Sequence, residues 1–166
     1  SVAKVHLLTD GNHGLPRGTV IVAPAIRYVE RAYDAAKYGQ ISQAPYLELT
    51  STGNVVSIHF QFAPYNLRDS EWGQARSELE RIAVDTASEA LPQLKASIRE
   101  TKSLTPLDLE KIYGLTEGDL ATKFRQWQPH IGHVQIAGVP GRNEPDTGDD
   151  AGRGPHVGHQ VMRVGF

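Results

Sequence analysis

Cysteine is absent from the 166-residue chain, and methionine occurs once. The missing thiols exclude a disulfide framework, and with it the stapled secreted scaffolds. No Cys-His arrangement and no G-x-S-x-G elbow is present to support nucleophilic catalysis. Charge of one sign is not in excess either: 17 Lys and Arg stand against 19 Asp and Glu, a formal −2. The electrostatic footprint of a nucleic-acid binder is therefore lacking. No apolar run approaches the ~20 residues that span a bilayer, and no basic-then-apolar leader opens the chain. The cytoplasm or an organelle matrix is the expected location. The first residue is Ser1 rather than Met, so the expectation is a processed chain or one cut from something longer.

What is present is enough for a core. Hydrophobic residues make up 39% and charged residues 22%, ordinary values for a globular protein. A chain of this length can bury roughly 70% of its unfolded surface, as one domain or one domain with an extension.

Period-two alternation and turn signals place a strand at residues 2–8, VAKVHLL, followed by the turn-rich TDGNHGLPRG. From Pro24 the spacing turns helical, with Ile26, Val29, Tyr33 and Ala36 on one face and Gly39 at the stop. YLELT (46–50) and VVSIHFQF (55–62) flank a Thr-Gly-Asn turn and predict an antiparallel hairpin. Val56, Ile58, Phe60 and Phe62 share one face of the second strand; Val55, Ser57, His59 and Gln61 share the other. A long helix begins near Ser70, its stripe formed by Trp72, Ala75, Leu79, Ile82, Ala83 and Ala90, with Pro92 at the exit. KASIRETK predicts a short strand. In LTPLDLEKIYGL, Thr105 is the N-cap, Pro106 the first helical residue, Asp108 the capping-box partner and Gly114 the stop.

These elements predict an α+β fold over residues 1–118: a mixed, largely antiparallel sheet with two or three helices packed on one face. DLATKFRQW (119–127) and HVQIA (133–137) predict a helix and strand extension over 119–137. Gly, Pro and Asp dominate residues 138–166, where a flexible tail is expected.

APAIRYVERAYDAAKYGQ, VVSIHFQFAPYNL and LTPLDLEKIYGLTEGD resemble the C-terminal half of the phytoene desaturase-like FAD-dependent oxidoreductases, within the amine-oxidase superfamily. The resemblance covers residues 1 to about 118, and it implies a substrate domain lying over a flavin. It also shows departures. The family's G-x-G-x-x-G flavin fingerprint has no counterpart, because GRGPHVG (152–158) is mis-spaced and lacks a strand-to-helix setting. The family's closing Gly-rich flavin segment is missing as well. Both flavin-gripping ends are gone, so the chain alone is expected to be inactive and to hold no FAD stably. In such an enzyme the protein holds an apolar small-molecule substrate against the flavin. His59, Gln61 and Tyr65 are the candidate lining residues; the plain alternative is a half-exposed strand face with ordinary polar side chains.

EGDLATKFRQWQPHIGHVQIAGVPGRNEPDTG, residues 117–148, resembles a different family, the hydroxypyruvate isomerases, which are TIM barrels. The resemblance implies a divalent metal held by Gln135 and a substrate contact from Arg142. Enediol chemistry needs several metal ligands and carboxylate bases drawn from a whole barrel of about 250 residues. One strand cannot supply them, so Gln135 also reads as an ordinary strand glutamine. Two resemblances meeting near residues 115–120 point to a chimera or fragment. A third possibility is a non-catalytic interaction or scaffold module, for which a dimer burying the His59 and Gln61 face is the expectation.

Two further patterns carry less. His130 with His133, and His156 with His159, form H-x-x-H pairs of no recognised zinc spacing. Asp146, Asp149 and Asp150 lack the spacing and terminal glutamate of a calcium loop.

Overall fold

Alternation in β1 (Val2–Thr9) sends Ala3, Val5 and Leu7 to one side, where all three are fully buried. The computed structural model describes residues 1–119. β1 pairs with β4 (Val55–Gln61) on one side and β5 (Ile98–Leu104) on the other. β3 (Leu47–Thr52) pairs with β4, and β2 (Val20–Val22) with β3. The order is β2-β3-β4-β1-β5, with all four pairings antiparallel. The α+β expectation is met.

The β3–β4 hairpin closes on Gly53 and Asn54, since Thr52 already faces Val55. Gly53 takes φ 60°, the first central position that a type II′ turn reserves for glycine. Register then aligns the apolar sets: Ala3 faces Phe60, Val5 faces Ile58, Leu7 faces Val56, and Leu47 and Leu49 continue the rows on β3. Helix α2 (Trp72–Ala90) lays Trp72, Ala75, Leu79, Ile82 and Ala83 over this face. α3 (Pro92–Ser97) adds Leu94.

α4 (Pro106–Tyr113) is placed differently. Its Leu109, with Leu115, packs on Val2 and Leu104, which belong to the opposite face of β1 and β5. The capping box is complete: Asp108 N–H donates to Thr105 Oγ1 (3.2 Å), and Thr105 N–H donates to Asp108 Oδ2 (2.8 Å). Gly114 ends the helix at φ 63°. Arg76 of α2 donates to Asp108 Oδ2 (2.7 Å) and to the Ser103 carbonyl (2.7 Å), tying both helices to β5.

One element is additional and three local expectations need correction. β2 is an added strand, in the residues between the turn-rich TDGNHGLPRG and the helical pattern that begins at Pro24. Lys95, Ala96 and Ser97 are helical rather than extended, because Pro92 starts α3 as well as ending α2. In α1 (Ile26–Lys37) the buried residue is Ala32, whereas Ile26 is 81% exposed and Tyr33 55%. Phe62 does not continue its strand face: at φ 60° it leaves β4 and meets Tyr33 edge-on, centroids 5.5 Å apart, with Tyr46 at 6.4 Å. Edge-to-face contact between rings helps offset the cost of a left-handed non-glycine residue. No helix among the described residues is long and apolar enough to cross a membrane.

Candidate functional site

The sheet face opposite α2 and α3 carries the polar halves of the alternating strands. Register sets them in rows. One row reads Glu48, His59, Lys4, Leu104 across β3, β4, β1 and β5. The next reads Thr50, Ser57, His6, Lys102. A third reads Thr52, Val55, Leu8, Glu100. Directly opposed residues hold their Cβ atoms about 5 Å apart, so each row is a line of touching side chains.

His59 is the centre of the first row and only 15% exposed. Its Nδ1 lies 3.8 Å from Glu48 Oε2, too far for a hydrogen bond. Burial, with Lys4 adding a smaller push, holds the imidazole down at about 4. At neutral pH the ring is therefore uncharged, and its proximity to Glu48 is not an ion pair. Its Nε2 is buried and has no hydrogen-bond partner among the described residues. Glu48 is engaged from its other side, where the Tyr46 hydroxyl donates to Oε1 at 3.1 Å. Burial and then Glu48 push that phenol up to about 12.

Lys4 is half-buried, and burial lowers its pKa against the opposing pull of Glu48. His6 places Nδ1 3.0 Å from Ser57 Oγ, and burial followed by Lys4 lowers its pKa too. Lys102 differs in having Glu100 at 3.1 Å.

Of the three residues expected to line a cavity, His59 and Gln61 share this face. Gln61 stands opposite Val2 at the end covered by α4, and its backbone N–H donates to the Tyr46 carbonyl at 3.0 Å. Tyr65 is engaged elsewhere. Its hydroxyl donates to Glu110 of α4, its carbonyl accepts from Trp72 Nε1 at 3.0 Å, and Glu110 in turn accepts from Glu117 N–H at 3.2 Å. Tyr65 is thus a clasp between the β4–α2 loop and α4. Lys4, His6, Glu48 and Tyr46 were not singled out from the sequence. Alternation in VAKVHLL puts Lys4 and His6 on one side, but only the β1–β4 pairing brings them to His59.

Gln135, Arg142, the two H-x-x-H pairs and the acidic cluster at 146–150 lie outside the described residues. Among the described residues no group of three or more His, Asp or Glu is placed to hold a metal ion. A separate open cavity of about 340 Å³ lies between Gly39–Gln43 and Leu67–Glu78, with Gln43 Nε2 donating to Glu78 at 3.1 Å. It lies away from the polar rows.

The described residues do not fit a flavin pyrophosphate cradle. That cradle needs a glycine turn from a strand into a helix within a parallel βαβ unit. Here Gly11, Gly14 and Gly18 join β1 to β2 without an intervening helix, and the sheet is antiparallel.

No family model matches the chain. It is 33% identical over 105 residues to the rat (Rattus norvegicus) pyridine nucleotide-disulfide oxidoreductase domain-containing protein 2, a match covering 55% of this chain and 18% of that protein. It is 54% identical over 35 residues to a 2-oxo-tetronate isomerase of Cupriavidus necator, covering 21% of this chain and 14% of that enzyme. The chain spans less than a fifth of the length of either relative. Its similarity is to part of an oxidoreductase-domain protein over about half its length, and to a short piece of an isomerase.

Proposed function

We propose that residues 1–119 are the substrate-side domain of an FAD-dependent oxidoreductase of the phytoene desaturase-like kind. The single observation that carries this is the 33% identity to an oxidoreductase-domain protein over about half the chain. The two-sided sheet supports it: one face is closed by α2 and α3, while the other keeps a half-buried polar grid. Flavin supplies hydride acceptance in such enzymes, and on this reading it is gripped by segments other than these. The part played here is to hold a small molecule with an apolar body and exclude water from it.

The test is flavin retention and shielding. The full chain, mixed with FAD and gel-filtered, is expected to leave the flavin behind. A G-x-G-x-x-G flavin domain joined ahead of this chain is expected to hold flavin less quenchable by iodide than that domain alone. Stoichiometric flavin on the unjoined chain, or unchanged quenching in a folded fusion, would sink the reading.

A second reading, a metal-dependent sugar-acid isomerase, is favoured by the short match to the 2-oxo-tetronate isomerase. Hydroxypyruvate turnover with Mg²⁺ or Mn²⁺, lost in Gln135→Ala, would support it.

A further inference from the structure

The centre of the polar face holds a lysine that is opposed only by a carboxylate two strands away. Among the described residues Lys4 makes no ion pair and no hydrogen bond through its ammonium, although it is half-buried. The neighbouring lysine, Lys102, is matched by Glu100 at 3.1 Å. The carboxylate on the Lys4 row, Glu48, stands two strands away, roughly 10 Å at the usual strand spacing. It is turned toward Tyr46. Between them stands His59, with a buried Nε2 that has no hydrogen-bond partner among the described residues. Beside Lys4 on its own strand is His6, whose Nδ1 meets Ser57 Oγ and whose Nε2 makes no hydrogen bond among the described residues.

A buried polar nitrogen and a half-desolvated cation without partners both cost free energy until an acceptor arrives. A neutral imidazole that carries its proton on Nε2 is a donor there. One oxyanion between these three groups satisfies them together. The row two on has an apolar centre: Leu8 faces Val55, 39% and 37% exposed, with Thr52 and Glu100 at its ends. Leu8 lies four residues from Lys4, roughly 13 Å along the strand at about 3.3 Å per residue. A medium-length acyl chain has that reach.

We propose that this face binds a small carboxylic acid with an apolar body, the carboxylate seated between Lys4, His6 and His59 and the body lying toward Leu8 and Val55. The proposal rests on the reading of this face as the substrate side and gives that substrate its chemical class.

The experiment follows the imidazole nitrogen and proton signals of His6 and His59 in the full chain during titration with octanoate, and in parallel with octanol. Octanoate is expected to shift both sets of signals. Lys4→Met is expected to weaken that binding about tenfold or more, and Lys4→Arg, which keeps the charge, to restore most of it. Melting curves establish that both variants are folded. Octanol shifting the signals as strongly as octanoate overturns the carboxylate while the substrate-face reading stands. Octanoate binding that Lys4→Met leaves unchanged overturns the site. If neither ligand reaches the histidines, the carboxylate site and the substrate-face reading fall together.

Discussion

Lys4 on β1 stands directly opposite His59 on β4, and burial, with a smaller push from that lysine, keeps the imidazole neutral in the middle of a polar sheet face. The ordinary value for a histidine is 6.5, and His59 is held at about 4. Above pH 6.5 neither the folded nor the unfolded chain protonates this ring, so its contribution to stability is full. Between 6.5 and about 4 the unfolded chain takes a proton that the folded one refuses, and stability falls as the pH falls. Below about 4 both forms are protonated and the loss stops growing. The whole effect is on the order of 3 kcal/mol at most. Urea unfolding at stepped pH should show this decline, and His59→Gln should flatten it. A decline of the same size in the variant would show that other groups cause it.

In the capping box of α4 Thr105 is buried, 1% exposed, while Asp108 is partly exposed. Thr105→Ala should cost about 1–2 kcal/mol. Arg76 donates to the same aspartate but is itself more than a third exposed, so Arg76→Ala should cost less, about 1 kcal/mol. Because both act through Asp108, their effects should fall short of adding in the double variant. Chemical denaturation of the four proteins decides this, and strict additivity would argue against a shared network.

Gly118 takes φ 64°, and a methyl built on it would come within 2.8 Å of the Pro106 backbone. Gly53 takes φ 60° with nothing within 4 Å. Both substitutions to alanine carry the left-handed penalty of about 1 kcal/mol, but only Gly118→Ala adds a backbone collision. It should be the more destabilising by thermal melting. Equal losses would mean that the chain after α4 does not fold back onto Pro106.

Phe60 is fully buried between Ala3 and Leu47 in the register of the sheet. Phe60→Ala should cost about 3–5 kcal/mol. Ile26→Ser, on a residue 81% exposed, should stay within about 0.5 kcal/mol. A large loss at Ile26 would reveal that its surface is covered in solution.

What could be read from the sequence was whatever depends on neighbours along the chain. The two faces of VVSIHFQ, the hairpin at Gly53, the stripe of α2 and the Thr105 box are all local patterns, and each is present. What could not be read depends on where elements dock. α1 is amphipathic, yet which of its stripes turns inward is decided by contacts elsewhere, and Ala32 rather than Ile26 is the buried residue. β2 is three residues long and exists because β3 offers an edge. The polar site was half legible. His59 and Gln61 follow from alternation within one strand, but Lys4 and His6 join them only because β1 inserts between β4 and β5, residues more than fifty positions away.

On the function proposed above, the polar face of this sheet is the substrate side and lies toward the flavin of an oxidoreductase. The most direct measurement is photolabelling. A flavin-binding domain joined ahead of this chain is loaded with an azido-substituted FAD, irradiated, digested and mapped by mass spectrometry. The account predicts label on the β1 and β4 peptides that carry Lys4, His6 and His59. Label confined to the outer surface of α2, with the polar strands untouched in a fusion that holds its flavin, would contradict it.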